Sequence, residues 1–157
     1  MKSLCLAFAL LLVPASAVRA ADLPRPSPLD AVQVFIRGIE TGDVDLLAGS
    51  FADNGTAFMP GESPARVAGR AEIKAAFQRI LPAGGAGPIT PRDVLVQELG
   101  EVAIVTVHLR ALPEGVVTKA TTFPRRSFVL QWSDGRWRIV HLHASNFRIE
   151  PATEPKP

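Results

Sequence analysis

The chain has 157 residues, 17 Lys and Arg against 15 Asp and Glu, and 47% hydrophobic side chains. That is enough apolar material for one domain with a buried core, and too much for a disordered chain. A single Cys excludes an intrachain disulfide framework, and a formal charge of +2 is too small to imply a nucleic-acid surface.

Met1 and Lys2 precede an apolar run from Leu4 to Val13, and small residues follow at Ala15-Ser16-Ala17 and Val18-Arg19-Ala20. This is the pattern of a secretory signal peptide, so residues 1–20 are expected to be cleaved after Ala20, with Ala17 as the other candidate. The protein is then secreted or periplasmic. The apolar run has 10 residues, too short to span a bilayer, so no stable membrane association is expected. Cleavage at Ala20 discards Lys2, Arg19 and Cys5, which leaves 15 basic against 15 acidic groups and no thiol. Nucleic acid is therefore not an expected partner, and no thiolate metal site can form.

Residues 21–28 carry Pro24, Pro26 and Pro28 and read as an extended lead-in. The domain proper is expected over 29–150. Leu29, Val32, Phe35, Ile36 and Ile39 recur at helical spacing over Leu29–Thr41, begun by Ser27 or Pro28 and ended by Gly42. Asp43 can cap a second short helix carrying Val44, Leu47 and Phe51. Asp53-Asn54-Gly55 reads as a turn, Thr56–Met59 as a strand broken at Pro60-Gly61, and Arg70–Leu81 as a third helix. Pro82 to Pro88 reads as a flexible loop. The period then changes: strands are expected over Val94–Leu99, Val102–Leu112, Val116–Trp132 and Trp137–Phe147, with turns at Gly100-Glu101 and Ser133-Asp134-Gly135. Pro124 marks a bulge or a sheet edge, and residues 151–157 read as a disordered tail. Three helices followed by an antiparallel meander make an α+β fold with helices on one face of the sheet.

Alternation puts Trp137, Ile139, His141, His143 and Ser145 on one face of the last strand, and Arg138, Val140, Leu142 and Ala144 on the other. Arg126, Phe128, Leu130 and Trp132 share a face, as do Ile104, His108 and Arg110. Both faces then look substantially apolar, and one helix layer cannot cover both. A homodimer through the sheet is the simplest solution.

The residues Gly42-Asp43, Thr56-Ala57-Phe58 with Pro60, Gly69, Gly100-Glu101, Arg110 and Asp134-Gly135-x-Trp137-x-x-Val140-His141-x-His143-x-Ser145 carry a resemblance to the NTF2-like (SnoaL-like) superfamily. Within it the chain is most similar to the association (hub) domain of calcium/calmodulin-dependent protein kinase II and its bacterial stand-alone relatives. The resemblance implies a cone of three helices on a curved antiparallel sheet, enclosing a pocket whose inward arginines bind small carboxylates. Arg110 matches one such arginine. The second falls on Phe128, with Arg126 two residues away on the same face, and the third falls on Ala144. An inward Arg keeps its proton and so requires an anionic or carbonyl partner.

The expected ligand site is therefore Arg110, Arg126, His108, Phe58, Phe128 and Trp132, holding a small carboxylated molecule without catalysis and without a cofactor. Glu62 and Glu72 are candidate rim residues. The alternatives are an isomerase, cyclase or hydrolase with His108 as the base and Arg110 stabilising an enolate or carboxylate, or a pure oligomerisation scaffold. His141-x-His143 has a spacing that zinc sites use, but the resemblance places both histidines as structural or interface residues, and no metal is expected.

Overall fold

The computed structural model describes residues 24–59, 66–110 and 121–149. The expected signal peptide and tail, Glu62 and the expected Pro60-Gly61 break lie outside the described residues. Three helices, α1 (Pro28–Thr41), α2 (Val44–Gly49) and α3 (Arg70–Ile80), pack on a sheet of six strands: β1 (Phe51–Phe58), β2 (Arg66–Ala68), β3 (Thr90–Leu99), β4 (Val102–Arg110), β5 (Thr121–Ser133) and β6 (Arg136–Ile149). The strand order is β2-β1-β6-β5-β4-β3. The fold is α+β, as expected.

Local chemistry sets the helix ends. Ser27 Oγ accepts from the Leu29 amide at 3.2 Å while Asp30 Oδ2 accepts from the Ser27 amide at 3.1 Å, a reciprocal cap that starts α1. Gly42, in the left-handed region at φ 73°, ends it. Asp43 Oδ1 then accepts from the Leu46 amide at 2.9 Å and starts α2. The turn to α2 lets the helices approach closely, because a Cβ on Gly38 would lie 2.7 Å from Leu47 Cβ. Residues 82–88 are tied down: the amides of Ala86 and Gly87 donate to the carbonyls of Ile39 and Glu40 at 2.9 and 3.2 Å. They satisfy carbonyls in the last turn of α1, which have no donor within the helix.

Two features of the sheet depart from the expected meander. β1 does not end in a turn at Asp53-Asn54-Gly55; the strand runs through it and pairs parallel with β6, Thr56 opposite His141 and Phe58 opposite His143. The pairing is irregular between Phe51 and Thr56, where Arg70 at the start of α3 clamps the chain. Its guanidinium donates to the Phe51 carbonyl at 2.7 Å and pairs with Asp53 at 2.8 Å. The second departure is a bulge in β6. Leu130 lies opposite Ile139 but Val129 lies opposite His141, so Val140 is an extra residue.

The bulge switches the faces of β6. Trp137 and Ile139 are buried beneath the helices, and so are Leu142 and Ala144 beyond the bulge. His141 and His143 therefore share the outer face with Val140, not with Trp137 and Ile139 as unbroken alternation predicts. The helix-facing core also includes Val105, Val107 and Leu109 of β4 and Phe128 and Leu130 of β5. Phe35 of α1 is its centre, edge-on to Phe51, Phe77 and Phe128 at centroid distances of 5.9, 5.6 and 5.1 Å.

Candidate functional site

Arg126 of β5 faces the helices. Its register partners are Val107 of β4 and Ala144 of β6, both buried. Nη1 donates to the carbonyls of Arg125 at 2.8 Å and Ser145 at 3.0 Å, and lies 3.4 Å from Asn146 Oδ1. All three acceptors are neutral, and among the described residues no carboxylate pairs with Arg126. Burial pushes its pKa down to about 10, which still leaves it charged at neutral pH. Ala144 carries only a methyl group beside it, where the resemblance placed a further arginine. A half-buried cation with carbonyl partners and a small neighbour is suited to an anion that supplies negative charge.

The other expected site residues do not gather around Arg126. Phe128 is fully buried with its ring against Phe35, in the packed core. Trp132 lies six residues further along β5, about 20 Å at ordinary strand rise. There the Arg25 guanidinium covers its ring at 4.7 Å, and Trp137 packs edge-on at 5.5 Å. His108 lies on the outer face, opposite Arg125 and Arg92, with Nδ1 3.8 Å from Asp93 Oδ2. Asp93 reaches it from a bulge in β3, with φ at 51°. Arg110 is the last residue of β4 and alternates with the buried Leu109, a backbone position shared with His108; its side chain lies outside the described residues. Phe58 is also on the outer face, and Glu72 is exposed on α3. The expected set is thus divided between two faces of the sheet.

On the outer face, His141 and His143 project from β6 against β1. His141 Nδ1 lies 2.7 Å from Thr56 Oγ1, which in turn is 3.4 Å from the Val140 carbonyl. The Phe58 ring stands edge-on to both imidazoles, at 5.8 and 5.9 Å. Burial holds the His141 pKa below its ordinary value, and the nearby charges of His143 and Arg66 lower it further.

Sequence reasoning overlooked the role of the lead-in. Arg25 donates to the Gly100 carbonyl at 3.1 Å and pairs with Glu101, while Trp137 Nε1 donates to the Pro26 carbonyl at 2.9 Å. These contacts strap residues 24–27 across the β3–β4 and β5–β6 turns. Beside the strap is an apolar cleft of about 220 Å³ lined by Pro26, Ala31, Val34 and Trp137, with Asp30 and Arg136 at its rim. It is at the opposite end of the sheet from Arg126, and Asp30 is already committed to the helix cap. Arg126 is the stronger site, since there a half-buried charge has only neutral partners among the described residues.

The model of the SnoaL-like domain family matches residues 29–150. Among solved structures, the chain is similar to a candidate calcium/calmodulin-dependent protein kinase type II association domain from Thiobacillus denitrificans, with 23% identity, a TM-score of 0.62, and 78% of this chain and 96% of that one covered. It is also similar to a candidate ketosteroid isomerase from Parabacteroides distasonis, with 14% identity, a TM-score of 0.62 and coverages of 78% and 89%. A candidate NTF2-like dehydratase from Streptomyces avermitilis has 20% identity, a TM-score of 0.57 and coverages of 74% and 91%. At these identities the likeness shows the fold. No curated protein matches the chain by sequence.

Proposed function

The chain belongs to the SnoaL-like domain family, and from that premise we propose that it is an exported, homodimeric binding domain that holds a small carboxylated molecule against Arg126 without transforming it. The observation that carries this reading is the Arg126 guanidinium, turned toward the helices and partnered by neutral oxygens alone among the described residues. A bound carboxylate would replace solvent that burial has removed and would accept charge-assisted hydrogen bonds. The names of the Parabacteroides and Streptomyces relatives, an isomerase and a dehydratase, favour a small-molecule pocket in this fold. That of the Thiobacillus relative, an association domain, favours self-association.

Geometry supports binding over the enzymatic alternative. The enzymatic alternative pairs His108 with Arg110 of the same strand, whereas a ligand held at Arg126 is out of reach of His108, because those two side chains occupy opposite faces of the sheet. The outer face is the proposed dimer surface. At its β3–β4 end it exposes Leu95, Leu99 and Val102, and burying such side chains contributes about 25 cal/mol per Å².

Thermal-shift and calorimetric titration with a panel of small carboxylates tests the site. Stabilisation by carboxylates but not by their amides is expected, with loss of the effect in Arg126→Gln and retention in His108→Gln. Carboxylate binding that survives Arg126→Gln would remove this residue from the site. Arg110→Ala, run in parallel, reports whether the second arginine contributes.

A further inference from the structure

The geometry points to a second site on the outer face: His141 and His143 form a two-imidazole chelate for a borderline transition-metal ion of the Cu²⁺ or Zn²⁺ class. This site is independent of the Arg126 reading, since both ligands come from one strand on the other side of the sheet. The expectation that no metal binds rested on the resemblance, which makes both histidines structural or interface residues, but two fixed imidazoles with water in the remaining positions can bind such an ion.

Three structural observations support the pair. His141, Leu142 and His143 alternate regularly, with Leu142 only 1% exposed, so both imidazoles leave the same face two residues apart. The bulge at Val140 puts them there, because without it this face of β6 would be continuous with the buried Trp137 and Ile139. Finally, Thr56 engages His141 at Nδ1 and not at Nε2. A relay in which Nδ1–H donates to Thr56 Oγ1, and Oγ1–H to the Val140 carbonyl, leaves the Nε2 lone pair directed away from the strand. Metal-binding histidines are commonly held this way, with the distal nitrogen's partner fixing tautomer and ring angle. Phe58 packs edge-on against both rings and limits their rotation.

The ligand type selects the ion. Neutral imidazoles suit Cu²⁺, Ni²⁺ and Zn²⁺, in the affinity order Cu²⁺ above Zn²⁺, whereas Ca²⁺ and Mg²⁺ require oxygen ligands. Arg66, opposite Phe58 on β2, brings a positive charge to the same neighbourhood and opposes a cation. Its removal is therefore a diagnostic of where the ion sits.

Calorimetric titration of the full-length domain, prepared without a polyhistidine tag, provides the test. Saturable binding of Cu²⁺, and more weakly of Zn²⁺, is expected. His141→Gln and His143→Gln should each weaken it at least tenfold, Arg66→Gln should tighten it several-fold, and His108→Gln should leave it unchanged. Absence of saturable binding in the wild type, or binding that persists in both histidine variants, overturns the site. Should a variant fold poorly, Cu²⁺-induced broadening of wild-type NMR signals gives a second reading. Broadening centred on His141 and His143 supports the site, and broadening centred elsewhere overturns it.

Discussion

Arg126 is placed on a face shared with Val105, Val107, Phe128 and Leu130, where a half-buried charge with only neutral partners among the described residues is destabilising. The site is therefore expected to trade stability for binding. Arg126→Met should raise the melting temperature of the ligand-free protein, by about 3 °C for ~1 kcal/mol in a domain of this size. The same substitution should abolish stabilisation by carboxylates, so paired melting curves with and without ligand measure both effects. His141 supports a second prediction. Its folded-state pKa lies below the unfolded value, so the unfolded chain binds more protons on acidification. The contribution of His141 is present above the unfolded pKa and is lost as the pH falls through and below about 6.5. In metal-free buffer, denaturant midpoints measured between pH 7.5 and 5 should fall less steeply for His141→Gln than for the wild type. Arg126 was legible as a candidate from the resemblance together with the strand pattern, and His141 from its spacing to His143. The position of His108 was not, because alternation tells which residues share a face but not which face meets the helices.

Among the elements, helix boundaries followed from residues close in sequence. Ser27 with Asp30, Asp43 with Leu46, and Gly42 each act within four residues, which is why caps read in the sequence recur in the structure. The packing of α1 on α2 rests on Gly38, and Gly38→Ala should destabilise by about 1–3 kcal/mol, because the added methyl meets the Leu47 side chain and the Asp43 carbonyl. Chemical denaturation with an unchanged m-value would show the loss to be one of packing. The lead-in is an element that the sequence disguised as a proline-rich entry. Its Arg25 stacks over Trp132 and lies 5.7 Å from Trp137, the only two tryptophans of the chain. Arg25→Ala should therefore shift the intrinsic fluorescence to longer wavelength, and should cost about 0.5–1 kcal/mol as expected for a partly exposed cation–π contact. An unchanged emission spectrum would show that the strap does not stay in place in solution. The loop over residues 82–88 is a comparable case: its glycines suggested mobility, yet a Cβ on Gly85 would collide with the Glu40 carbonyl, so glycine is required there by close approach to the end of α1.

For the whole molecule, the outer sheet face decides the assembly. If two copies pack through it, sedimentation at tens of micromolar should give twice the monomer mass, and Leu95→Asp, on an exposed outer position, should restore the monomer without unfolding the domain. The proposed export makes a separate prediction: amino-terminal sequencing of the protein recovered from the extracytoplasmic fraction should begin at Ala21. No helix among the described residues is long and apolar enough to cross a membrane. By itself the sequence determined the three helices, the caps of α1 and α2, five of the six strands, and the kinship carried by its glycines and its Trp-x-x-Val-His-x-His-x-Ser run. These depend on interactions between residues a few positions apart, and a local pattern suffices for them. Only the tertiary structure decided that β1 lies parallel to β6, that Val140 bulges and exchanges the faces of the last strand, and that Arg126 and His108 part to opposite sides of the sheet. Those outcomes depend on burial summed over strands some 80 residues apart, where the gain from covering Phe51, Ile139 and Leu142 together outweighs the turn preference of Asp53-Asn54-Gly55.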